Sequence, residues 1–276
     1  MAIAKTLFIT GISSGFGQAL ASEALAAGHR VIGTVRNQAA ADAFEATGPN
    51  AHAVLLDVTD FDRVGSVVAD AQQRLGPVDV LVNNAGYGHE GLFEESTLEE
   101  LRRQFDVNVF GAVAVTKAFV PAMRERRAGH IINITSMGGS ITMPGIAWYC
   151  GSKFALEGIS DALGKELAPF NVCVTAVAPG SFRTDWAGRS MRRTPRRIAD
   201  YDASFDPVRR ARLEKSGKQL GDPLKAARAI LHLIDNPRPP AHLLLGSDAL
   251  TLVRDDLVAR LRGIEQWETL TRSTDG

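Results

Sequence analysis

Three polar residues in the middle of the chain have the types and spacing needed to transfer a proton to an oxygen atom. Ser136 ends a strand-like run, and Tyr149 and Lys153 lie four positions apart, so on a helix they share one face. A free tyrosine titrates at about 10. A neighbouring ammonium group favours the phenolate, so this spacing predicts that Tyr149 has a lowered pKa and acts as a general acid and base. Ser136 can donate a hydrogen bond to an oxygen on which negative charge grows.

A glycine-rich turn near the N-terminus has the properties of a phosphate site. It runs from Thr10 to Gly17, directly after a strand-like run over residues 5–9, and it opens a helix. Glycine lets the backbone turn sharply and approach a ligand closely. The free N–H groups and the dipole of the helix start favour negative charge. The turn therefore predicts a pyrophosphate site at Gly11, Ser13, Ser14, Gly15, Phe16 and Gly17.

The elements that must position these residues alternate along the chain. Seven short runs rich in β-branched residues are separated by longer amphipathic stretches. This alternation predicts βαβ units and a parallel sheet that is buried on both faces. We expect one α/β domain over residues 1–276, with a Rossmann-type doubly wound sheet of about seven strands flanked by helices.

Composition excludes several classes of partner. The formal net charge is zero, and the residue balance is that of an ordinary globular protein, which favours neither nucleic acid nor a membrane surface as partner. No run approaches the roughly 18 apolar residues of a membrane span. The two cysteines, Cys150 and Cys173, and the scattered histidines do not have metal-ligand spacing. We expect a cytoplasmic protein without a metal.

The motifs together resemble the short-chain dehydrogenase/reductase family. The glycine turn, the run Asn83–Gly86 after the fourth strand, and Tyr149 with Lys153 carry the resemblance, which covers residues 5–182 most strongly. It implies hydride transfer between a nicotinamide and a carbonyl or alcohol substrate. It also implies that Ser136, Tyr149, Lys153 and Asn108 form the catalytic group, in which Lys153 binds the nicotinamide ribose and Asn108 holds a water that leads to Lys153.

The resemblance also implies further cofactor contacts. The adenosine half is expected against Asp57 and Val58 and against Asn84, Ala85 and Gly86. The nicotinamide half is expected against Tyr149 and Lys153 and against Pro179, Gly180, Phe182 and Thr184.

The end of the second strand predicts which nicotinamide cofactor binds. Proteins that bind NAD usually carry an acidic residue there, which bonds to the ribose 2′-hydroxyl. In this chain Val35 stands at that place and Arg36 follows it. Without a carboxylate there is no repulsion of a 2′-phosphate, and a guanidinium group can bind that phosphate through two hydrogen bonds. NADP(H) is therefore expected, with NAD(H) as the less favoured alternative.

Two segments depart from the family pattern. Residues 183–218 lose apolar periodicity and carry 11 Arg and Lys against 5 Asp and Glu. They are interpreted either as a substrate lid or as a mobile solvated insertion. The tail over 249–271 predicts an additional C-terminal helix. We expect a homodimer through the long helices at 98–126 and 149–168.

Three functions remain open. The first is an oxidoreductase for an apolar ketone, aldehyde or alcohol. The second is a 3-oxoacyl-thioester reductase, and the third is a regulator that binds NADP without catalysis.

Overall fold

The computed structural model describes residues 4–276 of the chain. Its strands, in chain order, are β1 (Thr6–Ile9), β2 (Arg30–Val35), β3 (Ala51–Leu55), β4 (Val80–Asn83), β5 (Gly88–Glu90), β6 (Gly129–Ile134), β7 (Val172–Pro179), β8 (Met191–Arg193) and β9 (His242–Leu245). Its helices are α1 (Gly15–Ala26), α2 (Gln38–Glu45), α3 (Phe61–Leu75), α4 (Leu98–Phe105), α5 (Ala112–Arg126), α6 (Ala147–Leu167), α7 (Asp202–Glu214), α8 (Pro223–Asp235) and α9 (Ser247–Arg272).

Seven of the strands form one parallel sheet in the order β3-β2-β1-β4-β6-β7-β9. The strand order reverses between β1 and β4, and a crevice opens at such a point beyond the carboxyl ends of the strands. The glycine turn follows β1, and the Asn83–Gly86 run begins at the end of β4. The predicted doubly wound α/β fold of about seven strands is confirmed.

Successive side chains of each strand point to opposite faces, and this divides the core into two layers. On one face Leu7 and Ile9 of β1 pack with α1, α2 and α8. On the other face Phe8 packs with α3 and α5, and its ring lies 4.9 Å from that of Phe119. Both layers are apolar, so the strands are apolar at nearly every position, as parallel sheets require.

The helix predicted over 98–126 is interrupted. The segment Asp106–Gly111 is π-helical and joins α4 to α5. A π-helical turn inserts an extra residue and shifts the side chains that follow it, and such turns often lie at functional sites. Here the turn contains Asn108.

One helical span of residues 4–276, Leu98–Arg126, has the length and the apolar composition of a membrane-crossing helix. Within it, Val115, Phe119 and Met123 are fully buried against the sheet. These apolar residues of the span therefore pack in the core of the domain.

The basic segment 183–218 has regular structure. Its strand β8 pairs in parallel with β5, and α7 follows. The tail forms α9, which begins two residues before the predicted helix and ends one residue after it.

Candidate active site

The backbone of the glycine turn has angles and close approaches that favour glycine. Gly11 and Gly15 have positive φ angles of 71° and 59°. A Cβ on Gly17 would lie 2.2 Å from the Gly11 carbonyl oxygen, closer than any non-bonded contact allows. The Asn84 side-chain amide donates to the carbonyl oxygens of Thr10 and Gly11, each at 2.9 Å. The end of β4 therefore fixes the shape of the turn after β1.

The start of α1 is free to bind an anion. Ser14 is the N-cap of α1, but its side chain accepts no capping hydrogen bond. The first N–H groups of a helix have no partner within the helix, and they attract phosphate when no cap uses them. Thr184 lies beside this start, because a Cβ on Gly15 would be 3.7 Å from the Thr184 Cβ. The turn and the open helix start fit the pyrophosphate of a dinucleotide.

Arg36 lies exposed at the carboxyl end of β2, close to Asp57. Desolvation tends to raise the pKa of Asp57, but hydrogen bonds from Thr59 and the charge of Arg36 outweigh it, so the pKa is lowered. Asp57 Oδ1 accepts from the Thr59 backbone N–H at 3.0 Å and from its hydroxyl at 2.7 Å. The structure therefore places Arg36 and Asp57 together beyond the carboxyl ends of β2 and β3.

Ser136, Tyr149 and Lys153 come together beyond the carboxyl end of β6, and each is buried, with exposures of 8%, 6% and 6%. Ser136 precedes a short 3-10 turn, and its hydroxyl oxygen accepts from the Gly138 N–H at 3.0 Å. Tyr149 and Lys153 lie one turn apart near the start of α6. The structure thus assembles the three residues whose types and spacing predicted proton transfer.

The predicted lowering of the Tyr149 pKa is wrong for this structure. Burial raises the pKa of Tyr149, and hydrogen bonding with Ser136 opposes this only in part. Lys153 does not counteract the rise, because its ammonium nitrogen donates to the Ile134 carbonyl oxygen at 2.8 Å. Burial also lowers the pKa of Lys153 to about 8. Burial thus holds both groups toward their neutral forms.

Asn108 uses its amide to join three elements. Its Oδ1 accepts from the Tyr87 N–H at 3.1 Å. Its Nδ2 donates to the Tyr87 carbonyl oxygen at 3.1 Å and to the Ser152 hydroxyl at 3.2 Å. The residue thus ties the π-helical turn to the segment after β4 and to α6. Its predicted role with a water remains a prediction.

The other contacts predicted for the nicotinamide half lie at the end of β7 and in the residues that follow it. Phe182 is buried, and its ring packs against that of Phe16, with centroids 5.1 Å apart. A larger residue at Gly180 would collide with Asp248, because a Cβ there would be 2.2 Å from a carboxylate oxygen of that residue. Pro179 ends β7. Together with Thr184, these residues line the same edge of the sheet as the glycine turn.

Two features of the site were not predicted from the sequence, namely the contact of Trp186 with Tyr149 and the burial of Glu90. Trp186 lies against Tyr149, and Glu90 is 1% exposed although it is an acid. Glu90 is paired with Arg193 at 3.0 Å, Arg209 at 3.3 Å and Arg212 at 2.5 Å, all from the segment 183–218. The excess of arginine in that segment could have indicated a buried acid, since buried carboxylates need cationic partners.

A second buried acid fastens the same segment. Glu95 Oε1 accepts from Arg196 at 2.8 Å and from the backbone N–H groups of Arg197 and Ile198 at 2.6 and 2.8 Å. Segment 183–218 is therefore docked onto the residues that follow β5.

Comparison with known proteins agrees with this geometry. The short chain dehydrogenase family model matches residues 5–194. The chain is 34% identical to oxidoreductase BOA17 of Botryotinia fuckeliana, with 97% of this chain and 98% of that protein covered. It is 37% identical to a 3-ketodihydrosphingosine reductase of Bacteroides thetaiotaomicron, with 88% of each covered. A solved short-chain dehydrogenase from Streptomyces avermitilis is 42% identical over the whole of both chains, with a TM-score of 0.92.

More distant solved structures contain either cofactor. ElxO with NADP bound is 26% identical, with a TM-score of 0.74, and 90% of this chain and 100% of that chain are covered. A protein from Burkholderia phymatum in complex with NAD is 25% identical, with a TM-score of 0.78, and 93% and 95% are covered. Both nicotinamide cofactors thus occur among structural neighbours.

Proposed function

The chain belongs to the short-chain dehydrogenase family, and we propose that it is an NADP(H)-dependent oxidoreductase that interconverts a carbonyl group and an alcohol. One observation carries the proposal. The hydroxyl groups of Ser136 and Tyr149 are buried together, with Lys153 one turn further along α6, at the sheet edge that also holds the glycine turn. Ligands bind at this edge in open parallel sheets.

In the reduction direction, Tyr149 donates its hydroxyl proton to the carbonyl oxygen, and Ser136 donates a hydrogen bond to the same oxygen. When bound, a nicotinamide supplies the hydride that the carbonyl carbon accepts. Lys153, whose pKa of about 8 lets it release or take a proton near neutral pH, can return a proton to Tyr149 after each turnover. In the oxidation direction the same groups act in reverse.

Two features support NADP(H) over NAD(H). No acidic side chain stands at the end of β2, where Val35 is buried. Arg36 is exposed there, and the described residues offer it no ion-pair partner within 4.0 Å. Asp57 is nearby, but its Oδ1 is occupied by Thr59. A guanidinium group without a partner at this place suits a 2′-phosphate.

The surroundings of Tyr149 support an apolar substrate. Ile146 and Cys150 are buried beside it, and Met143, Phe154 and Trp186 pack against this cluster. Segment 183–218, proposed as the lid, contributes Trp186, whose ring lies against that of Tyr149, and closure of such a segment excludes water from the reaction. We also propose a cytoplasmic location and a homodimer.

The first experiment is a fluorescence titration of the full chain with NADPH and with NADH. NADPH oxidation is then followed with ketones, aldehydes and 3-oxoacyl thioesters. We expect tighter binding of NADPH and turnover with apolar ketones or aldehydes. Turnover with thioesters alone would favour the 3-oxoacyl-thioester reductase. Binding without turnover on any of them would favour the regulator.

The role of Tyr149 is tested by Tyr149→Phe, with Tyr201→Phe as the matched control. The Tyr201 hydroxyl donates a hydrogen bond to Glu94 Oε2 at 2.9 Å, away from Ser136, Tyr149 and Lys153. We expect Tyr149→Phe to bind NADPH normally but to lose about 100-fold or more in turnover, the usual worth of general acid catalysis. Tyr201→Phe should keep its turnover. Equal turnover in the two variants would remove Tyr149 from the mechanism.

A further inference from the structure

Helix α9 exposes far more apolar surface than any other part of the described chain. Of the 17 large apolar side chains that are exposed among residues 4–276, 8 lie on this one helix. They are Leu250, Leu252, Leu257, Val258, Leu261, Ile264, Trp267 and Leu270. Scattered exposed leucines are normal in proteins, but a concentration of this kind marks an interaction surface.

Only the first half of α9 is anchored to the domain. Ala249 and Val253 are buried, and Asp248 accepts from the Ser181 N–H at 2.8 Å. The last side chain of α9 that hydrogen-bonds to the body is Arg260, which donates to the Ser140 carbonyl oxygen at 2.8 Å and lies over the Phe154 ring. From Ile264 onward every residue is exposed. Isolated helical segments of this length are marginal in water, so the second half needs a packing partner.

Four of the exposed residues form one stripe along α9. Leu250, Leu257, Leu261 and Ile264 follow one another at intervals of seven, four and three residues. Such intervals place side chains on a single face of a helix. Leu257, Leu261 and Ile264 are 58%, 56% and 68% exposed. Leu252 lies nine residues before Leu261, which places it about 180° away on the opposite face.

The charges beside this stripe are arranged symmetrically about Leu261. Arg254 lies seven residues before Leu261, and Glu268 lies seven residues after it, on the same face. When two copies of α9 run antiparallel and cross at Leu261, Arg254 of each copy faces Glu268 of the other. In this register Leu257 of one copy lies opposite position 265 of the other. Ile264 is one residue from that position, about 1.5 Å along the helix axis. A parallel arrangement would instead place like charges opposite each other.

The charge balance of α9 also argues against a lipid surface. Between residues 250 and 272 the helix has four arginines and four acidic residues. Helices that lie on membranes usually carry an excess of Lys and Arg on their polar face. Neutral charge together with self-complementary flanks fits a second copy of this chain better.

We propose that α9 is a self-association surface that pairs antiparallel with α9 of a second copy about a two-fold axis at Leu261. This face is separate from the helices α4, α5 and α6, through which the sequence predicts a dimer. The proposal does not depend on the catalytic function, because the stripe does not include any residue of the candidate active site.

The test is the mass of the full chain in solution, measured by light scattering and sedimentation over a range of concentrations. We expect Leu261→Glu to weaken self-association at least about 100-fold, since it places two carboxylates together at the axis. The matched control Leu252→Glu introduces the same charge on the opposite face and should leave association unchanged. Circular dichroism checks that both variants remain folded.

Two further variants test the antiparallel register. Arg254→Glu and Glu268→Arg should each weaken association about 10-fold, and the double variant should restore it. Leu261→Cys should form a disulfide-linked dimer on oxidation, because a residue on the axis meets its own counterpart, whereas Leu252→Cys should not.

A monomeric wild-type chain would overturn the proposal, and so would a dimer unaffected by Leu261→Glu. Binding of the monomer to neutral or anionic lipid vesicles, lost in Leu261→Glu, would assign the surface to a membrane instead. All of these variants are expected to keep their turnover, so failure of this proposal is distinguishable from failure of the enzyme function.

Discussion

The indole ring of Trp186 lies against the phenol ring of Tyr149, with the ring centroids 5.0 Å apart and the planes at 58°. The Trp186 N–H is buried close to the Tyr149 hydroxyl and has no hydrogen-bond partner within the described residues. Trp186 belongs to the short 3-10 turn Asp185–Ala187 at the start of segment 183–218. That segment thus lies directly against the ring of Tyr149.

Removing the Trp186 ring should change the titration of Tyr149. Burial is the largest cause of the raised pKa of Tyr149, so Trp186→Ala should admit water and lower that pKa toward about 10. Trp186→Phe keeps an aromatic ring in place and should keep the pKa high. The measurement is the tyrosinate absorbance of each variant as a function of pH. The titration of the same variant carrying Tyr149→Phe in addition is subtracted, so that the difference reports Tyr149 alone. Identical titrations of the alanine and phenylalanine variants would contradict this role of Trp186.

Arg36→Asp should weaken NADPH binding much more than NADH binding. A hydrogen bond to a charged group is worth about 1.5–3 kcal/mol, so we expect a loss of about 10- to 100-fold for NADPH. Repulsion by the new carboxylate adds to this loss. The control Arg63→Asp changes another surface arginine, which lies on α3 and pairs with Asp60 just before that helix. Fluorescence titration measures both cofactors, and equal losses for the two would refute a contact with the 2′-phosphate.

Lys153 should make the stability of the protein depend on pH. Its pKa is about 8 in the folded chain, because burial disfavours the charge, and a free lysine titrates at about 10.4. Between these values the unfolded chain binds more protons, so the free energy of unfolding rises with pH across this window. Each unit of pKa difference contributes about 1.4 kcal/mol.

We therefore expect the rise in stability between about pH 8 and about pH 10 to be smaller in Lys153→Met than in the wild type. Urea unfolding at several pH values measures this difference. Lys117→Met replaces an exposed lysine on α5 and serves as the control. A rise as large in Lys153→Met as in Lys117→Met would show that Lys153 does not titrate in this range.

Glu90→Gln should loosen segment 183–218. It removes the buried carboxylate that pairs with Arg193, Arg209 and Arg212, and breaking a buried ion pair costs about 3–5 kcal/mol. We expect faster tryptic cleavage after these arginines and a lower melting temperature. The control Glu99→Gln breaks an exposed pair with Arg102, worth about 0–1 kcal/mol. Equal cleavage rates in the two variants would mean that Glu90 does not hold the segment.

The features that the sequence predicted correctly depend on short-range periodicity. Alternating apolar runs predicted the parallel sheet, because strands buried on both faces must be apolar throughout. The four-residue interval between Tyr149 and Lys153 placed them on one face of α6, because the helical repeat requires it. The glycine turn could be predicted because glycine readily adopts positive φ angles, which other residues rarely adopt. Gly11 and Gly15 have such angles in the structure.

The sequence alone thus determined the fold class, the glycine turn and the residue types of the candidate active site. Tertiary structure decided how those residues behave. The pKa of Tyr149 is raised because the fold buries it, with Trp186, 37 positions further along the chain, packed against its ring. Glu90 is buried because arginines 103 to 122 positions away pack over it. Burial and charge pairing depend on which distant elements come into contact, and no local pattern of residues contains that information.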